Sequence, residues 1–250
     1  MQSRADHATY ATQAEGKSQH ARIVSELGLA IVGGALRPGD KLPPEPQLLE
    51  RYDISRSVLR EAVRVLAAKG LVMSRQRAGA SVRQRNEWHM LDPDVLYWLI
   101  QTRPPRDFVQ TLLEVRRIFE PAAAALAARA ASAEQLHAIE AAYEGMAAAK
   151  TADELLEPDL AFHRRIAEAT GNDLLAYIGN MLSLALRESI ILSSQAANSH
   201  ELSLSRHRAI LTALQARDSL SAHRATLVQL EETGDDLSAV LAADGRLNLA

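Results

Sequence analysis

The chain contains no cysteine among its 250 residues, and aromatic side chains make up only 4% of it. The absence of cysteine excludes disulfide bonds, thiolate metal sites, iron–sulfur clusters and cysteine nucleophiles. No apolar run approaches the roughly 18 residues that a membrane span requires, and residues 1–17 lack the apolar core of a signal peptide. We therefore expect a cytoplasmic protein without a membrane segment. Apolar residues, at 47%, are numerous enough to build real cores, which excludes wholesale disorder.

The net charge of −3 conceals two segments of opposite sign. Residues 18–85 carry 12 basic and 6 acidic side chains, whereas residues 86–250 carry 14 basic and 23 acidic ones. A basic segment of this size favours a polyanionic partner. An acidic segment beside it indicates a second, different partner. Charge alone does not distinguish such a basic surface from an ordinary solvated one.

The basic segment has the order of elements of a winged helix-turn-helix. Apolar spacing predicts its helices, and alternation bounded by turn residues predicts its strands. Ser55 is the predicted N-cap of the third helix, and Gly70 is the residue predicted to follow that helix. The predicted elements are a helix from Gln19 to the Gly33-Gly34 pair, a short helix bearing Leu48, Leu49 and Tyr52, a turn at 53–55, a helix over 56–69 with Val58, Ala62, Val65 and Leu66 inward, and strands over 71–73 and 80–82.

The third helix of this segment is the predicted recognition helix, which enters the major groove in this motif. It presents arginine and serine near its start, and an arginine fork pairs bidentately with guanine. Two further arginines stand on the predicted hairpin tip, where they would contact the backbone or the minor groove. From spacing alone, the alternative is a small helical domain with a solvated arginine-rich face. The predicted DNA-contacting residues are Arg56, Ser57, Arg60, Arg64, Arg75 and Arg77.

The acidic remainder of the chain is predicted to be helical almost throughout, so the whole fold is mainly α. Few aromatics and many alanines predict close helix packing in an all-α bundle. Residues 86–102 contain both tryptophans and are interpreted as a linker with a short helix that docks two domains. Gly234–Asp236 is predicted to break the last helix. The predicted domains are a disordered arm over 1–17, a winged helix-turn-helix over 18–85, the linker over 86–102, a helical domain over 103–235 and a tail over 236–250.

Two side chains four residues apart form the first candidate for metal chemistry. Asp159 and His163 share one face of a predicted helix, and His207 on a later helix offers a second imidazole. Histidine and carboxylate without sulfur suit a divalent metal such as zinc, nickel, manganese or iron. The spacing equally fits a simple Asp–His hydrogen bond, and the chain's 8 histidines make chance pairs common.

Three ordered blocks of the basic segment resemble the DNA-binding domain of the GntR family. One position departs from the family pattern, since Pro46 stands where members often carry a DNA-contacting arginine. That base contact is therefore predicted to be missing and the operator preference to differ. The matching blocks are Leu36–Glu45, Ile54–Ala62 and Leu66–Leu71.

The acidic half resembles the FCD domain, the ligand-binding domain of FadR-type GntR regulators, in the segments 159–163, 169–175 and 207–210. The resemblance implies an all-α bundle in which Asp159, His163 and His207 hold a divalent metal such as zinc, nickel or manganese. The fourth ligand of the family set is histidine, but here it is Gln229, which is predicted to bind a water or the effector.

The same resemblance implies that Arg116 holds the carboxylate of a small effector. The alternative is that Arg116 pairs with Glu120, which lies one helical turn further on. The bridge over 85–98 resembles that of galactonate-responsive repressors of this subfamily, which implies an aldonic or related sugar acid as the effector.

The resulting hypothesis is a homodimeric transcriptional repressor that reads a pseudo-palindromic, double-stranded operator and responds to a small carboxylate. One alternative is a metal-dependent enzyme with an appended DNA-binding domain. It lacks a general base with a recognisable spacing, because Glu168 and Asp173 are only nearby in sequence. The other alternative is a regulator that answers to an apolar acyl effector.

Overall fold

The computed structural model describes residues 19–75, 79–103, 105–195 and 199–243, and the chain divides into two compact units after Arg103. Residues 1–17, the predicted arm, lie outside the described residues. The predicted winged helix-turn-helix is confirmed in the first unit. Its elements are α1 (Gln19–Val32), α2 (Glu45–Tyr52), α3 (Arg56–Ala68), β1 (Val72–Arg75), β2 (Gly79–Val82) and α4 (Pro93–Thr102).

Local capping explains the bounds of the helix-turn-helix. The Ser55 hydroxyl accepts a hydrogen bond from the Val58 amide at 3.4 Å, which makes Ser55 the N-cap of α3 as predicted. Gly70 follows α3 with φ at 74°, a left-handed conformation that suits glycine. The chain then turns into β1, which pairs antiparallel with β2 so that Val72 faces Val82.

The buried face of α3 differs slightly from the predicted one. Leu59, Ala62 and Leu66 are buried, whereas Val58 and Val65 are only half-buried. Positions 59, 62 and 66 form one stripe of i, i+3 and i+7 spacing, so the core-facing side is rotated by about one residue from the predicted side. The polar start of α3 remains exposed.

Residues 86–102 were predicted to link two domains, but they are part of the core of the first unit. Trp88 and Trp98 are only 7% and 2% exposed and belong to the same apolar cluster as α1. Asp92 caps α4, and its carboxylate also accepts a hydrogen bond from Lys69 at 2.9 Å. Two tryptophans carry too much apolar surface for an exposed spacer, so the segment folds back onto the helix-turn-helix.

The second unit contains six described helices that pack as a bundle, which confirms the predicted helical domain. Nine alanines belong to its main core cluster, and small side chains let the helices approach closely. The helices are α5 (Pro105–Ala130), α6 (Ala133–Ala148), α7 (Ala152–Glu168), α8 (Asp173–Ser193), α9 (Ser199–Gln215) and α10 (Ser219–Ala243).

The last helix, α10, does not break at Gly234–Asp236, so this prediction was wrong. Leu237 and Leu241 continue its apolar face and are 1% and 3% exposed. Gly234 is buried against α5, where an added Cβ would lie 3.5 Å from the Leu113 side chain. Burial of this face outweighs the cost of glycine within a helix, about 1 kcal/mol. Residues 244–250 of the predicted tail lie outside the described residues.

Helix α8 has the length and apolar composition of a membrane span, contrary to the expectation that no segment would. Its inner side packs in the bundle, where Leu186 and Ile190 contact Leu156 and Leu160 of α7. Its outer side leaves Leu174 and Tyr177 73% and 62% exposed. Length and hydropathy alone therefore do not distinguish this bundle helix from a membrane helix.

In Gly28→Ala the added Cβ would lie 2.4 Å from the buried Trp98 ring. We expect this substitution to destabilise the first unit by about 1–3 kcal/mol, because the ring cannot shift without disturbing the core. Both tryptophans of the chain belong to this unit, so urea denaturation followed by tryptophan fluorescence reports on it selectively. Ser25→Ala, on the same helix, is the matched control and is expected to change stability little. Unchanged stability of Gly28→Ala would contradict the packing described here.

Candidate effector cavity and DNA-binding surface

Helices α7 and α9 bring the three predicted metal ligands together. The Nε2 atoms of His163 and His207 lie 3.2 Å apart, and they lie 3.3 and 3.6 Å from Asp159 Oδ1. The i, i+4 spacing places Asp159 and His163 on one face of α7, and His207 meets them from α9. All three side chains are at least nine-tenths buried. One ligand atom from each lies within 4.8 Å of the others, which is close enough to hold one ion.

Hydrogen bonds to the Nδ1 atoms of His163 and His207 set the orientation of the two imidazole rings. His163 Nδ1 lies 3.1 Å from Glu120 Oε2, and His207 Nδ1 donates to the Ser203 carbonyl at 2.7 Å. With Nδ1 occupied by an acceptor in each ring, both Nε2 atoms face the shared centre. Phe162 packs edge-on against both rings, with centroids 5.9 and 5.0 Å away. Such outer hydrogen bonds are the usual way in which a protein orients metal-binding histidines.

Glu120 joins the predicted metal cluster to Arg116. Its carboxylate accepts a hydrogen bond from Arg116 Nε at 2.6 Å and lies against His163. Burial alone would raise the pKa of Glu120, but the positive charges of Arg116 and His163 outweigh it and hold that pKa well below its usual range. Burial alone would lower the pKa of His163, but the Glu120 and Asp159 carboxylates raise it to about 9.

The other two members of the cluster have pKa values shifted in the same direction for different reasons. Burial would raise the pKa of Asp159, but the neighbouring His207 and His163 lower it below its ordinary value. Burial lowers the pKa of His207, and the positive charge of His163 lowers it further, although Asp159 opposes both. Without a metal, the cluster is therefore a cationic His163 and a neutral His207 around an ionised Asp159.

Arg116 makes the ion pair with Glu120 that the sequence analysis gave as the alternative. Its guanidinium is buried, and Nε and Nη2 both donate to Glu120, at 2.6 and 3.3 Å. The remaining nitrogen, Nη1, lies 3.5 Å from the Ser189 hydroxyl. The fork that would grip a carboxylate through Nε and Nη2 is thus occupied by an internal carboxylate, which leaves Nη1 on the cavity side.

Gln229 lies where the family pattern has a fourth histidine and is 4% exposed. Its Nε2 donates to the Thr233 hydroxyl at 3.3 Å, whereas its buried Oε1 accepts no hydrogen bond from any described residue. Arg116, Asp159, His163, His207 and Gln229 line a single small cavity that opens towards solvent.

The cavity has further polar lining residues that sequence reasoning missed. The spacing of Ser203, four residues before His207, was a usable signal, because a helix places both on one face. The others depend on which helices meet. Asn180 and Ser183 of α8 do not line it; the Ser183 hydroxyl donates to the Gly179 carbonyl. The additional polar lining residues are Ser189, Ser193, Ser194, Ser203, Arg206, Thr233 and Asp236.

The start of α3 presents an exposed polar surface. Arg56 forms an exposed ion pair with Glu45 at 3.3 Å, and Arg64 pairs with Glu61 on its own helix at 2.6 Å. The Ser57 hydroxyl lies 2.8 Å from that of Ser55. Arg60 is exposed and forms no ion pair with any described residue. Of the predicted hairpin arginines, Arg77 and the side chain of Arg75 lie outside the described residues.

Comparisons with known proteins identify both units. Residues 19–82 match the family described as bacterial regulatory proteins, gntR family, and residues 111–232 match the FCD domain. The galactonate operon transcriptional repressor of Escherichia coli is 32% identical over 84% of this chain and 92% of its own length. The chain belongs to the GntR family and is a FadR-type regulator.

A second relative of this GntR regulator supports the same assignment. The HTH-type transcriptional regulator LutR of Bacillus subtilis is 33% identical over 83% of this chain and 96% of its own length. The solved structure of Lar, which controls the agr system of Listeria monocytogenes, matches with a TM-score of 0.62 at 19% identity. It covers 89% of this chain and 98% of that chain, and shows the fold alone. The chain is a DNA-binding transcriptional regulator, and the assignment to the repressor class is supported.

Glu120→Ala is expected to lower the free energy of unfolding by about 3 kcal/mol, because it leaves Arg116 and His163 buried without their shared carboxylate. Urea denaturation of metal-free protein, followed by far-UV circular dichroism, measures the loss. Glu157→Ala is the matched control. It removes the carboxylate from the exposed Arg187–Glu157 pair, whose Glu157 side chain is 73% exposed, and should cost less than about 1 kcal/mol. Equal losses in the two variants would contradict the role assigned to burial.

Proposed function

We propose that this GntR regulator is a homodimeric repressor whose second unit binds a divalent metal and a small carboxylate effector, and releases DNA in response. The observation that carries the proposal is the convergence of Asp159, His163 and His207 within 4.8 Å, with both Nδ1 atoms held by outer acceptors. A buried cluster oriented in this way has the features of a metal site.

The residues present fit a divalent metal. Asp159 Oδ1 is buried and faces the Nε2 atoms of His163 and His207 at 3.3 and 3.6 Å, so a metal ion held by these three atoms would replace the His163 proton as the cationic partner of the carboxylate. Two imidazole nitrogens and one carboxylate oxygen suit zinc, nickel or manganese. The bound metal would supply a Lewis-acidic centre for an anionic oxygen. Gln229, which replaces the fourth histidine, would face a coordinated water or the effector.

The balance of charge in the cavity favours an anionic effector. Metal binding requires a neutral His163, so a dication would then share the site with Arg116 and the two carboxylates of Glu120 and Asp159. This leaves one net positive charge among these groups. A carboxylate reaching Arg116 Nη1 would neutralise that charge. The galactonate operon repressor is among the similar proteins, which supports a sugar acid as the effector class here.

The DNA-binding residues proposed from the sequence are those at the start of α3 and on the hairpin. Arg56, Ser57, Arg60 and Arg64 would contact the major groove or flanking phosphates, and Arg75 and Arg77 the backbone or minor groove. Two copies of α3 would read the half-sites of a pseudo-palindrome. The exposed Leu174 and Tyr177 on α8 are compatible with an assembled form, because such apolar surface favours burial between copies. A chromosome-binding regulator is proposed to act in the cytoplasm.

Regulation requires that the effector bind one arrangement of the dimer better than the other. We propose no catalytic reaction for the metal. Glu168 and Asp173, the acids that the enzyme alternative would draw on, do not line the cavity. The polar lining also disfavours the alternative of an acyl effector, because an apolar chain would leave the buried Gln229 Oε1 without a hydrogen-bond donor.

Arg60→Ala is expected to weaken operator binding by about 1–3 kcal/mol for each half-site, because an exposed, unpaired arginine is available for a base edge or phosphate. Fluorescence anisotropy with an operator selected from random DNA by the wild-type protein measures the change. Arg129→Ala, an exposed arginine of the second unit, is the control for lost positive charge. If Arg60→Ala bound the operator with wild-type affinity, the proposal that α3 contacts the DNA through Arg60 would be wrong.

His207→Ala is expected to abolish stoichiometric metal binding and the response to effector while leaving operator affinity within about two-fold. Metal content after dialysis and effector-dependent operator release are the two measurements. His223→Ala, an exposed histidine on α10, is the matched control and should retain both. A full complement of metal and an unchanged effector response in His207→Ala would contradict the proposed site.

A further inference from the structure

Helix α8 is apolar on the side that faces away from the bundle as well as on the side that packs into it. Its inner side contacts α7 through Leu186 and Ile190. Its outer side carries Leu174 and Tyr177, which are 73% and 62% exposed. A surface helix of a globular protein normally has a polar outer face, and a helix that is hydrophobic all round is normally buried on all sides. The outer side of α8 is therefore expected to have a partner.

The outer residues of α8 follow the spacing of a coiled-coil seam. Successive positions alternate between steps of three and four residues, which is the heptad pattern by which two helices pack side by side at about 20°. Each of these side chains is exposed or half-buried in the single chain. We call this set the outer seam, and its members are Leu174, Tyr177, Met181, Leu184, Glu188 and Ile191.

Glu188 is the charged residue of the outer seam, and its position restricts how two such seams can pair. It forms no ion pair or hydrogen bond with any described residue. In a parallel, in-register pair each position faces its own copy, so two Glu188 carboxylates would lie against each other. Like charges placed together in this way destabilise an interface. A parallel pairing of two outer seams is therefore disfavoured.

An antiparallel pairing places complementary groups opposite each other. A two-fold axis at the middle of the outer seam brings each position of one copy opposite a different position of the other, and each layer occurs twice. The Tyr177 hydroxyl, which also has no partner among the described residues, then faces the Glu188 carboxylate. A hydroxyl that donates to a carboxylate forms a strong, charge-assisted hydrogen bond. The three layers are Leu174 with Ile191, Tyr177 with Glu188 and Met181 with Leu184.

We propose that two copies of the chain pack their α8 helices antiparallel along the outer seam, with the Tyr177 hydroxyl of each copy donating to Glu188 of the other. The inference rests on the proposed homodimer and adds the surface, the direction and the register of its contact. The inner side of the same helix lines the cavity through Ser189, Ile190 and Ser193. A ligand that shifts α8 would therefore act directly on the contact between the two copies.

Single-cysteine variants test the register on the full-length chain, because the wild-type sequence contains no cysteine. A helix rises about 1.5 Å per residue, so the antiparallel seam places position 181 about 4.5 Å along the axis from its own copy, and position 177 about 16 Å from its own copy. A short bis-maleimide cross-linker followed by denaturing electrophoresis measures the covalent dimer.

We expect Met181→Cys to cross-link to its own copy. Tyr177→Cys and Glu188→Cys should each cross-link little alone, and at least about five-fold more when the two proteins are mixed and allowed to exchange subunits. The mixed dimer keeps one of its two Tyr177–Glu188 pairs, so the contact itself is retained. Glu144→Cys, exposed on α6, is the control for random collisions and should give a low yield throughout.

A lysine at the end of the outer seam tests whether this surface holds the dimer together. Leu174→Lys should raise the dimer dissociation constant at least about ten-fold, because a charged group would lose water opposite Ile191 in both copies. Leu220→Lys is the matched control, since Leu220 is also exposed, at 58%, but lies on α10. It should leave the dissociation constant within about two-fold. Sedimentation velocity over a dilution series gives the constants, and far-UV circular dichroism verifies that both variants fold.

Several outcomes overturn the proposal, and they separate it from the proposed homodimer. If the protein is a dimer but the α8 cysteines cross-link no better than Glu144→Cys, or Leu174→Lys dissociates no more readily than Leu220→Lys, the homodimer stands and the seam is wrong. Strong cross-linking of Tyr177→Cys and of Glu188→Cys to their own copies would show a parallel pairing instead.

A wild-type protein that stays monomeric at micromolar concentration would overturn both the seam and the proposed homodimer. If that monomer also co-sediments with vesicles of phosphatidylethanolamine and phosphatidylglycerol, and Leu174→Lys abolishes the co-sedimentation, the outer side of α8 binds lipid and not a second copy.

Discussion

The second unit depends on one buried carboxylate, that of Glu120. A charge removed from water is costly unless it is paired and hydrogen-bonded. Glu120 is in contact with two cationic groups at once, since Arg116 donates to it at 2.6 Å and His163 lies at 3.1 Å. The same contact turns His163 Nε2 towards Asp159 and His207. One side chain therefore positions both the candidate metal ligand and the guanidinium on the cavity wall.

Hydrogen bonds within the helices determine which donors and acceptors on the cavity lining are still available to a ligand. Ser193 and Thr233 bond to carbonyls of their own helices, which turns hydroxyl groups into acceptors. Arg116 gives two of its three nitrogens to Glu120. The hydrogens of the Ser193 and Thr233 hydroxyl groups and two nitrogens of Arg116 are therefore already used within the protein, which a list of the lining residues without their hydrogen bonds would not reveal.

The two units differ in where their charged side chains lie: they are exposed at the start of α3 and buried around the cavity of the second unit. The arginines at the start of α3 are exposed, and the pairs of Arg56 with Glu45 and Arg64 with Glu61 are surface ion pairs that stabilise the fold little. Such pairs exchange readily for phosphate oxygens. In the cavity the charges are buried, so each change of partner is costly.

Features set by neighbouring residues were predictable from the sequence. The Ser55 cap, the Gly70 stop, the hairpin strands and the shared face of Asp159 and His163 all depend on helix and strand periodicity or on turn chemistry, which act over a few residues. The family resemblance added His207, Arg116 and Gln229 to one site, and the structure brings all of them to one cavity.

Features that depend on which faces meet were not predictable in this way. The burial of Trp98 against Gly28, the continuation of α10 through Gly234 and the approach of Asp236 to Arg206 each require the packed fold. Local propensity disfavours a helix through Gly234, and it does not specify where the tryptophan segment 86–102 packs. Burial of apolar surface decides both features. The sequence by itself thus determined the family, the helices and the ligand types, because these follow from local pattern. Only the tertiary structure decided which hydrogens and lone pairs face the cavity, because that depends on contacts between helices far apart in the chain.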